Sequence, residues 1–312
     1  MTGTATTSLA AAGVLAFAAV FSWPAIAADQ KEPEALQPSS RWNVDYSATS
    51  CKLARIFGEG DDKVALIMEQ HAPTGNLVTT VVGAPVKKMR LPTSSEEIGY
   101  RFGPYEPEGE ATAFSGTLGE YKPAAFFTIR ALGKKPSDTI DAEGETFVQP
   151  APIDVFESEF SAEHAARVEW LEIRRSRGAV RLATGPMDKA LAVMDNCMEN
   201  LVAEWGIDIL AHRSLSRTVA VANDAGSWIS SIDYPGSALR AGAQGVVRFR
   251  LVIDEEGKPI SCAIDGATDP DEFSELTCDK IMSRAKFEPA LDAEGEPIRS
   301  YFAGSVRFQM GF

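Results

Sequence analysis

The sequence predicts an α+β protein: a β-rich N-terminal domain with a capping helix, followed by a small β-β-α-β module. Short runs in which apolar and polar residues alternate recur between turns rich in Gly, Asp and Pro, a pattern typical of antiparallel strands. Apolar residues at helical spacing follow Pro186 and again follow Asp271.

The N-terminal segment predicts export. Leu9 to Ala27 is almost wholly apolar or small, and Ala25-Ile26-Ala27 has the small-x-small pattern that signal peptidase cuts. We therefore expect residues 1–27 to be a signal peptide, residues 28–40 to be a spacer, and the protein to lie in the periplasm. The alternative is an uncleaved inner-membrane anchor facing the periplasm, since about nineteen apolar residues are just enough to cross a bilayer.

Residues 41–212 are too long and too apolar for a linker, and we expect a β-rich domain with its own core. The predicted strands are 42–46, 51–57, 64–69, 77–82, 124–131, 168–174 and 179–183. Turns such as the one from Gly58 to Asp62 separate them, and this spacing favours an antiparallel sandwich or barrel. The sequence assigns this domain no function.

One helix is predicted to cap the β-rich domain. It opens at Pro186 and ends near Trp205, and its apolar residues share one face: Met187, Leu191, Met194, Met198, Leu201 and Val202. Residues 133–152 are polar and interrupted by proline and glycine, so they are predicted to form a long surface loop. Residues 213–233 are predicted to be a linker to the C-terminal module.

The C-terminal module, residues 234–312, shows a change of period from strand to helix and back. Two strands, 246–253 and 260–265, are predicted on either side of a hairpin turn, each with one buried face. A helix of about four turns follows from Asp271. Tyr301 to Met310 is predicted to be the final strand, with no later sequence to pair with it.

These residues resemble the C-terminal domain of TonB-type proteins, which span the Gram-negative periplasm and engage outer-membrane receptors. The resemblance rests on turn residues in the family's order: Tyr234-Pro235, Ala238-Leu239-Arg240, Gly242, Gln244-Gly245, Asp254…Gly257-Lys258, Phe287-Glu288-Pro289-Ala290 and Gly295-Glu296-Pro297. Any module of this kind uses glycine and proline in its turns, but several motifs in fixed order are more specific than one. The resemblance covers the C-terminal module alone.

The resemblance implies a use for the last strand. In TonB-type domains an extended receptor segment pairs along the sheet edge by main-chain hydrogen bonds, like an added strand. The implied edge is Tyr301 to Gln309, with Tyr301 and Arg307 on its outward face. The expected partner-binding residues are Tyr234, Pro235, Tyr301, Ala303, Ser305 and Arg307. The expected partner is an outer-membrane receptor or another envelope protein, in relation to TonB-dependent transport, unless another part of the chain covers the edge.

Two further hypotheses concern the N-terminal part of the chain. If residues 1–27 remain as an anchor, the chain is an unusual energy transducer for TonB-dependent uptake. It lacks, however, the polar anchor face and the long Pro/Lys/Glu-rich linker of that family. Alternatively, residues 41–212 form a ligand-binding or enzymatic domain, and the C-terminal module is its adaptor.

Four cysteines in an exported chain predict two disulfides, and four cysteines allow three pairings. Cys262 lies on the inward face of the second module strand, and Cys278 lies on a helix face shared with Ile281, which favours Cys262 with Cys278. That pairing leaves Cys51 with Cys197, which would join the capping helix to the first strands. No pair has Cys-x-x-Cys spacing, so neither a thioredoxin-type redox site nor a structural zinc site is indicated.

The sequence contains no recognisable catalytic or metal-binding motif. His71, His164 and His212 are isolated, and no Gly-x-Ser-x-Gly or phosphate-binding loop is present. The acidic clusters lack the ligand spacing of an EF-hand loop. We therefore expect no enzyme activity, no cofactor and no metal ion. The formal charge of −14 and the pI near 4.8 argue against nucleic acid and anionic membrane surfaces as partners.

Overall fold

The structure is a computed structural model that describes residue 3 and residues 32–73, 76–92, 96–130, 148–150, 161–176, 178–267 and 270–310. Residues 33–312 form one compact unit. The predicted signal peptide or anchor lies outside the described residues, apart from Gly3. Within the ranges described, none of the helices combines the length and the apolar character that a membrane span requires.

The first part of the compact unit is β-rich, as the sequence predicts. Its strands are β1 (Ala35–Leu36), β2 (Asn43–Tyr46), β3 (Cys51–Phe57), β4 (Val64–Gln70), β5 (Asn76–Gly83), β6 (Glu96–Phe102), β7 (Gly109–Leu118), β8 (Tyr121–Arg130), β9 (Val148–Pro150), β10 (Leu171–Arg175) and β11 (Gly178–Leu182). Its helices are α1 (Ala162–Ala166), α2 (Asp188–Glu204) and α3 (Ile209–His212). Each strand that was expected between residues 42 and 183 overlaps one of these strands.

The strands of this part, β9 excepted, form one curled sheet in the order β1-β11-β10-β6-β7-β8-β5-β4-β3-β2. The curl brings the chain after β1 back to β3: Pro38 pairs with Phe57, and the amide of Gly58 donates to the carbonyl of Gln37 at 2.8 Å. Residues 35–40 therefore connect the two ends of the sheet. This part of the expected spacer thus has backbone groups bonded into the sheet.

Strands β6 and β7 were not expected from the sequence. In β6, Ile98, Tyr100 and Phe102 do alternate and are buried, so a period-2 signal is present there. In β7 only Ala113 is buried, and the strand is held between β6 and β8 by main-chain pairing. Such a strand carries little hydrophobic pattern, because its backbone partners rather than its side chains define it.

The larger core lies between the sheet and α2. Helix α2 buries the predicted apolar face, including Leu191, Met194 and Leu201, against sheet residues such as Leu53 and Phe127. Full burial of side chains of this size contributes about 1.5–3 kcal/mol each. This core gives the β-rich part a rigid surface on which the rest of the chain packs.

The second part of the unit holds the C-terminal module. Its elements are β12 (Ala220–Val221), α4 (Gly236–Ala241), β13 (Gly245–Ile253), β14 (Pro259–Ala267), α5 (Glu272–Arg284), β15 (Phe287–Glu288), β16 (Ala290–Leu291), β17 (Pro297–Ile298) and β18 (Ser300–Phe308). The long strands form an antiparallel sheet in the order β14-β13-β18-β9. Helix α5 covers one face of this sheet, and Phe249, Phe273 and Phe308 belong to the core between them.

Two boundaries differ from the sequence expectation. The expected linker, residues 213–233, is partly built into the module: β12 pairs with β15, and Trp228 is fully buried in the module core. The expected surface loop, residues 133–152, contains β9, which pairs with β18. The remainder of that loop lies outside the described residues.

Strand β13 was expected to bury one face only, and this expectation is wrong. Phe249 and Leu251 are buried on the side of α5, but Arg250 and Val252 of the alternating set are buried as well. The β-rich part supplies the cover on the second side, since Trp205 lies over Arg250. The module is therefore packed on both faces of its sheet.

Candidate partner-binding edge and interdomain seam

The partner-binding edge is the side of β18 that faces away from β13. Along its whole length β18 pairs with β13, from Ser300 opposite Ile253 to Phe308 opposite Gly245. On its other side it pairs antiparallel with β9, and the pairs are Gly304 with Pro150, Ser305 with Gln149 and Val306 with Val148. An extended segment of the same chain thus occupies the middle of the edge.

The expected partner-binding residues on β18 are not equally accessible. Arg307 is exposed and Ser305 is half-buried. Tyr301 and Ala303 are buried, so the expected outward exposure of Tyr301 is wrong. The cause is tertiary, because the β-rich part packs against the N-terminal half of β18. Accessible side chains of the edge are therefore confined to its C-terminal half.

Tyr234 and Pro235 have structural contacts within the module. The ring of Tyr234 is buried edge-on against Phe273 and Phe308, and its hydroxyl donates to the carbonyl of Ala243. Pro235 is half-buried and is the residue that precedes α4. The structure places the Tyr234 ring in the module core, and the expected partner-binding role of Tyr234 and Pro235 stays a prediction.

The interdomain seam is the contact between the β-rich part and the second face of the module sheet. Tyr301 and Ala303 of β18 pack there with Ala72, Val202 and Ile207 in a small apolar cluster. The Tyr301 ring lies 5.7 Å from that of Trp205, centroid to centroid, and its hydroxyl donates to the carbonyl of Pro73 at 3.3 Å. Tyr301 is thereby the main apolar anchor of the seam.

His212 at the end of α3 provides a polar contact across the seam. Its Nδ1 lies 3.0 Å from the carbonyl oxygen of Asp208, which can only accept, so Nδ1 carries the proton. The neutral ring then accepts at Nε2 from the hydroxyl of Ser300, 2.9 Å away. Burial lowers the pKa of His212 because the charged form loses hydration, and this favours the neutral ring.

A buried ion pair lies next to the apolar anchor. The guanidinium of Arg250 sits 3.6 Å from the ring centroid of Trp205, and its Nη2 lies 3.6 Å from Oδ1 of Asp265. Both side chains are almost completely buried, yet Arg250 Nε and Asp265 Oδ1 have no hydrogen-bond partner among the described residues. Burial raises the pKa of Asp265 to about 7, against the opposing effect of Arg250 and together with that of Glu69.

Glu69 of β4 is the acidic group that the β-rich part brings to the seam. Its Oε1 accepts from the hydroxyl of Ser50 at 2.6 Å and lies 3.2 Å from Nζ of Lys52 and 3.6 Å from Nε2 of His71. Burial lowers the pKa of His71, and Arg248 and Lys52 act in the same direction, whereas Glu69 opposes it. The seam thus joins charged groups from both parts of the chain.

Two disulfides stabilise the two parts separately, with the pairing that the sequence favoured. Cys51 of β3 is bonded to Cys197 of α2, and Cys262 of β14 is bonded to Cys278 of α5. The first joins the helix to the curled sheet, and the second joins the module helix to its sheet. Neither bond crosses the seam, so docking of the two parts rests on noncovalent contacts and on the connecting chain.

The seam residues Trp205, Arg250 and Asp265 were missed by sequence reasoning. The charged residues that alternate along β13 predict a solvated strand face, because charged side chains are mostly exposed. A weak signal existed, since Arg248 and Arg250 lie on the same face of β13 and Asp265 lies on the neighbouring strand. A single sequence does not show which surface covers that face.

Among the residues that the structure describes, no group of three or more His, Cys, Asp or Glu side chains could hold a metal ion.

Comparison with known proteins agrees with the C-terminal resemblance. Residues 230–310 match the family described as Gram-negative bacterial TonB protein C-terminal, which confirms the resemblance for this segment. No curated protein and no solved structure matches the chain. The C-terminal part is therefore TonB-like, which relates the chain to TonB-dependent transport.

Proposed function

We propose that the chain is a periplasmic protein whose TonB-like module binds an extended segment of an outer-membrane receptor or another envelope protein. The observation that carries this proposal is the antiparallel pairing of β9 with β18 at Gly304, Ser305 and Val306. This pairing indicates that the β18 edge accepts an added strand. Strand addition by main-chain hydrogen bonds is a general way to bind an extended peptide.

The geometry favours binding at the C-terminal half of β18. The seam buries the N-terminal half, whereas Arg307 is exposed just beyond the positions that β9 covers. A partner segment that enters along this half would replace β9 rather than add to it. Binding is therefore a competition between two strands for the same backbone groups of β18.

The charges near this edge favour a partner segment with an acidic residue. Arg307 is exposed in a chain whose formal net charge is −14, and Arg248 lies on the same face of the sheet, directly opposite Ser305 on β13. An exposed guanidinium attracts a carboxylate by bidentate hydrogen bonds as well as by charge. The backbone of β18 supplies affinity, and Arg307 supplies specificity.

Site-specific photocrosslinking in cells tests the proposal. A photoreactive phenylalanine analogue in place of Arg307 should crosslink an outer-membrane protein, which mass spectrometry of the product identifies. The same analogue in place of Lys258, which is exposed on the β13–β14 turn, is the matched control. An equal product at both positions, or none at Arg307, would remove the proposal.

A second variant tests the competition with β9. Val148→Pro removes a backbone N–H and disfavours strand pairing at the position opposite Val306. With the crosslinker at Arg307, this substitution should raise the yield of the crosslinked partner several-fold. An unchanged yield would mean that β9 and the partner do not share the edge.

The periplasmic location rests on the N-terminal sequence and stays a prediction. N-terminal sequencing of protein recovered from periplasmic and membrane fractions checks it. A mature chain that begins at Ala28 in the soluble fraction supports the proposed function. A terminus at Met1 or Thr2 in the inner membrane would favour the anchored transducer instead.

A further inference from the structure

We propose that the interdomain seam is a proton-sensitive latch, in which the Arg250–Asp265 pair beneath Trp205 sets how firmly the β-rich part holds the TonB-like module. This proposal is independent of strand addition at β18. It concerns the face of the module sheet, whereas partner binding concerns its edge. The two are separable because Asp265 lies on β14, at the opposite side of the sheet from β9.

The geometry makes the ion pair depend on docking. Arg250 and Asp265 both belong to the module, but the indole that lies over the guanidinium, Trp205, belongs to the β-rich part. Separation of the two parts would expose the pair to water. The cost of holding these charges out of water is therefore part of the free energy of docking.

The contacts of the pair are too few to offset that cost. Nη2 of Arg250 lies 3.6 Å from Oδ1 of Asp265, and in the part of the chain that the structure describes neither this Oδ1 nor Nε of Arg250 has a hydrogen-bond partner. A β-bulge at this point contributes, since the register of β13 and β14 shifts between Arg248 and Phe249 and leaves Asp265 without a residue opposite it. A buried carboxylate with these contacts is stabilised by taking up a proton.

The groups that face Asp265 come from both parts of the chain. Arg250 of β13 lowers the pKa of Asp265 and Glu69 of β4 raises it, but burial has the largest effect and raises it to about 7. Arg248 reaches the neighbouring Gly266, and His71 and Lys52 lie around Glu69. Glu69 approaches only when the two parts are docked, so docking itself favours the neutral acid.

The direction of the effect follows from linkage. Because the pKa of Asp265 is higher in the docked state than in exposed aspartate, docking takes up a proton and weakens as the pH rises towards 7. His71 and His212 act in the opposite direction: burial lowers the pKa of each, so docking weakens as they become protonated below their ordinary pKa. The Asp265 contribution must therefore be isolated by comparison with a variant.

Thiol labelling measures docking directly. All four native cysteines are in disulfides. The substitution Ala303→Cys therefore places a single reactive thiol in the seam, where Ala303 is buried. The labelling rate of Ser231→Cys at an exposed position, divided by that of the seam thiol, gives a protection factor that corrects for thiolate content. The protection factor reports how often the seam opens.

The test compares this reporter with and without Asp265→Asn, which fixes a neutral side chain at the same place. The histidines are common to both chains. The protection factor of the chain with Asp265, divided by that of the chain with Asp265→Asn, therefore isolates the contribution of Asp265. We expect this ratio to fall about tenfold between pH 6 and pH 8. A ratio that stays constant over this range would overturn the proposal. Asp279→Asn, at an exposed position of α5, is the control and should leave the protection factor unchanged.

A second variant keeps the test decisive if Asp265→Asn does not fold. Glu69→Gln removes the charge from the β-rich part that raises the pKa of Asp265, so the carboxylate should ionise at lower pH. Because Glu69 also raises the pKa of His71, both chains of this comparison carry His71→Asn, and the ratio of the protection factor with Glu69 to that with Glu69→Gln should fall between pH 6.5 and pH 8 by several-fold. An unchanged ratio would mean that Asp265 does not titrate in the seam, and would equally overturn the proposal.

Discussion

The ring of Tyr301 packs edge-on against the ring of Trp205, with the two ring centroids 5.7 Å apart. Tyr301 belongs to the last long strand of the TonB-like module, and Trp205 follows the helix that caps the curled sheet. This contact makes the second face of the module sheet an internal surface. The module is therefore packed against the β-rich part of the chain. The accessible side chains of the β18 edge are confined to the C-terminal half of that strand.

Truncation of the Tyr301 ring tests this contact. Tyr301→Ala should lower the free energy of unfolding by about 3–5 kcal/mol, because a fully buried aromatic side chain is lost and leaves a cavity. Urea denaturation measures the change. Tyr121→Ala, on an exposed tyrosine of β8, is the control and should change the free energy by less than about 0.5 kcal/mol. Equal effects of the two substitutions would show that the seam contributes no stability.

The two disulfides should differ in their contribution to stability. On the chain-entropy model, the Cys51–Cys197 bond, with a sequence separation of 146, stabilises by about 5 kcal/mol, and the Cys262–Cys278 bond, with a separation of 16, by about 3 kcal/mol. Replacement of each pair by serines and denaturation in urea gives the two values. If removal of the shorter loop proved more costly, loop length would not be the dominant factor.

The ion pair between Asp233 and Arg284 should make the module sensitive to acid. The carboxylate accepts from two guanidinium nitrogens at 2.7 and 2.8 Å and from the amide of Ser230 at 3.0 Å. The hydrogen bonds from Arg284 hold the pKa of Asp233 well below its ordinary value. The stabilisation is therefore complete above the ordinary aspartate pKa and is lost as the pH falls through the lower, folded-state pKa.

Asp233→Asn should consequently lower the melting temperature by several degrees at neutral pH. The difference from the parent protein should shrink as the pH falls below the ordinary pKa of aspartate, because the unfolded parent chain then takes up a proton that the folded carboxylate does not. Asp279→Asn on α5, whose carboxylate is exposed, is the matched control. A melting-temperature difference that is the same at neutral and acidic pH would contradict the assigned role of the carboxylate charge.

Two turn glycines of the module allow a matched comparison. Gly257 has φ +77°, and a Cβ there would lie 2.0 Å from the carbonyl oxygen of Phe287; Gly295 has φ +86° but has open space around it. Gly295→Ala should cost about 1 kcal/mol from the left-handed conformation alone. Gly257→Ala should cost clearly more, because the backbone must also move. Thermal unfolding measures both, and equal costs would show that the close approach is not a constraint.

Much of the fold could be predicted from the pattern of apolar and polar residues along the chain. The strands around Leu53 and Leu66 and the capping helix carry strong periodic patterns, because each buries one face against a single core. The disulfide partners also followed from strand and helix faces. Strand β7 could not be predicted in this way, since its neighbours hold it through the backbone and it has little apolar pattern of its own.

The candidate site was only half predictable. The turn motifs from Tyr234 to Pro297 predict the TonB-like module, and the resemblance that they carry implies an edge at β18. Two features could not be predicted: the burial of Tyr301 and the pairing of β9 with β18 at Ser305. Both depend on residues that are far away in the sequence. Arg250 shows the same limit. Its charge predicts a solvent-exposed side chain, whereas the structure places its guanidinium against the ring of Trp205.

By itself the sequence determined the local conformations: where strands alternate, where glycine and proline force turns, and which cysteines face one another. Only the tertiary structure decided which faces are covered, as for Arg250 and Tyr301, and which edge is occupied, as for β18. The physical reason is that periodicity and turn chemistry are local properties of the backbone. Burial, in contrast, is a property of two surfaces, and the sequence of one surface does not specify the other.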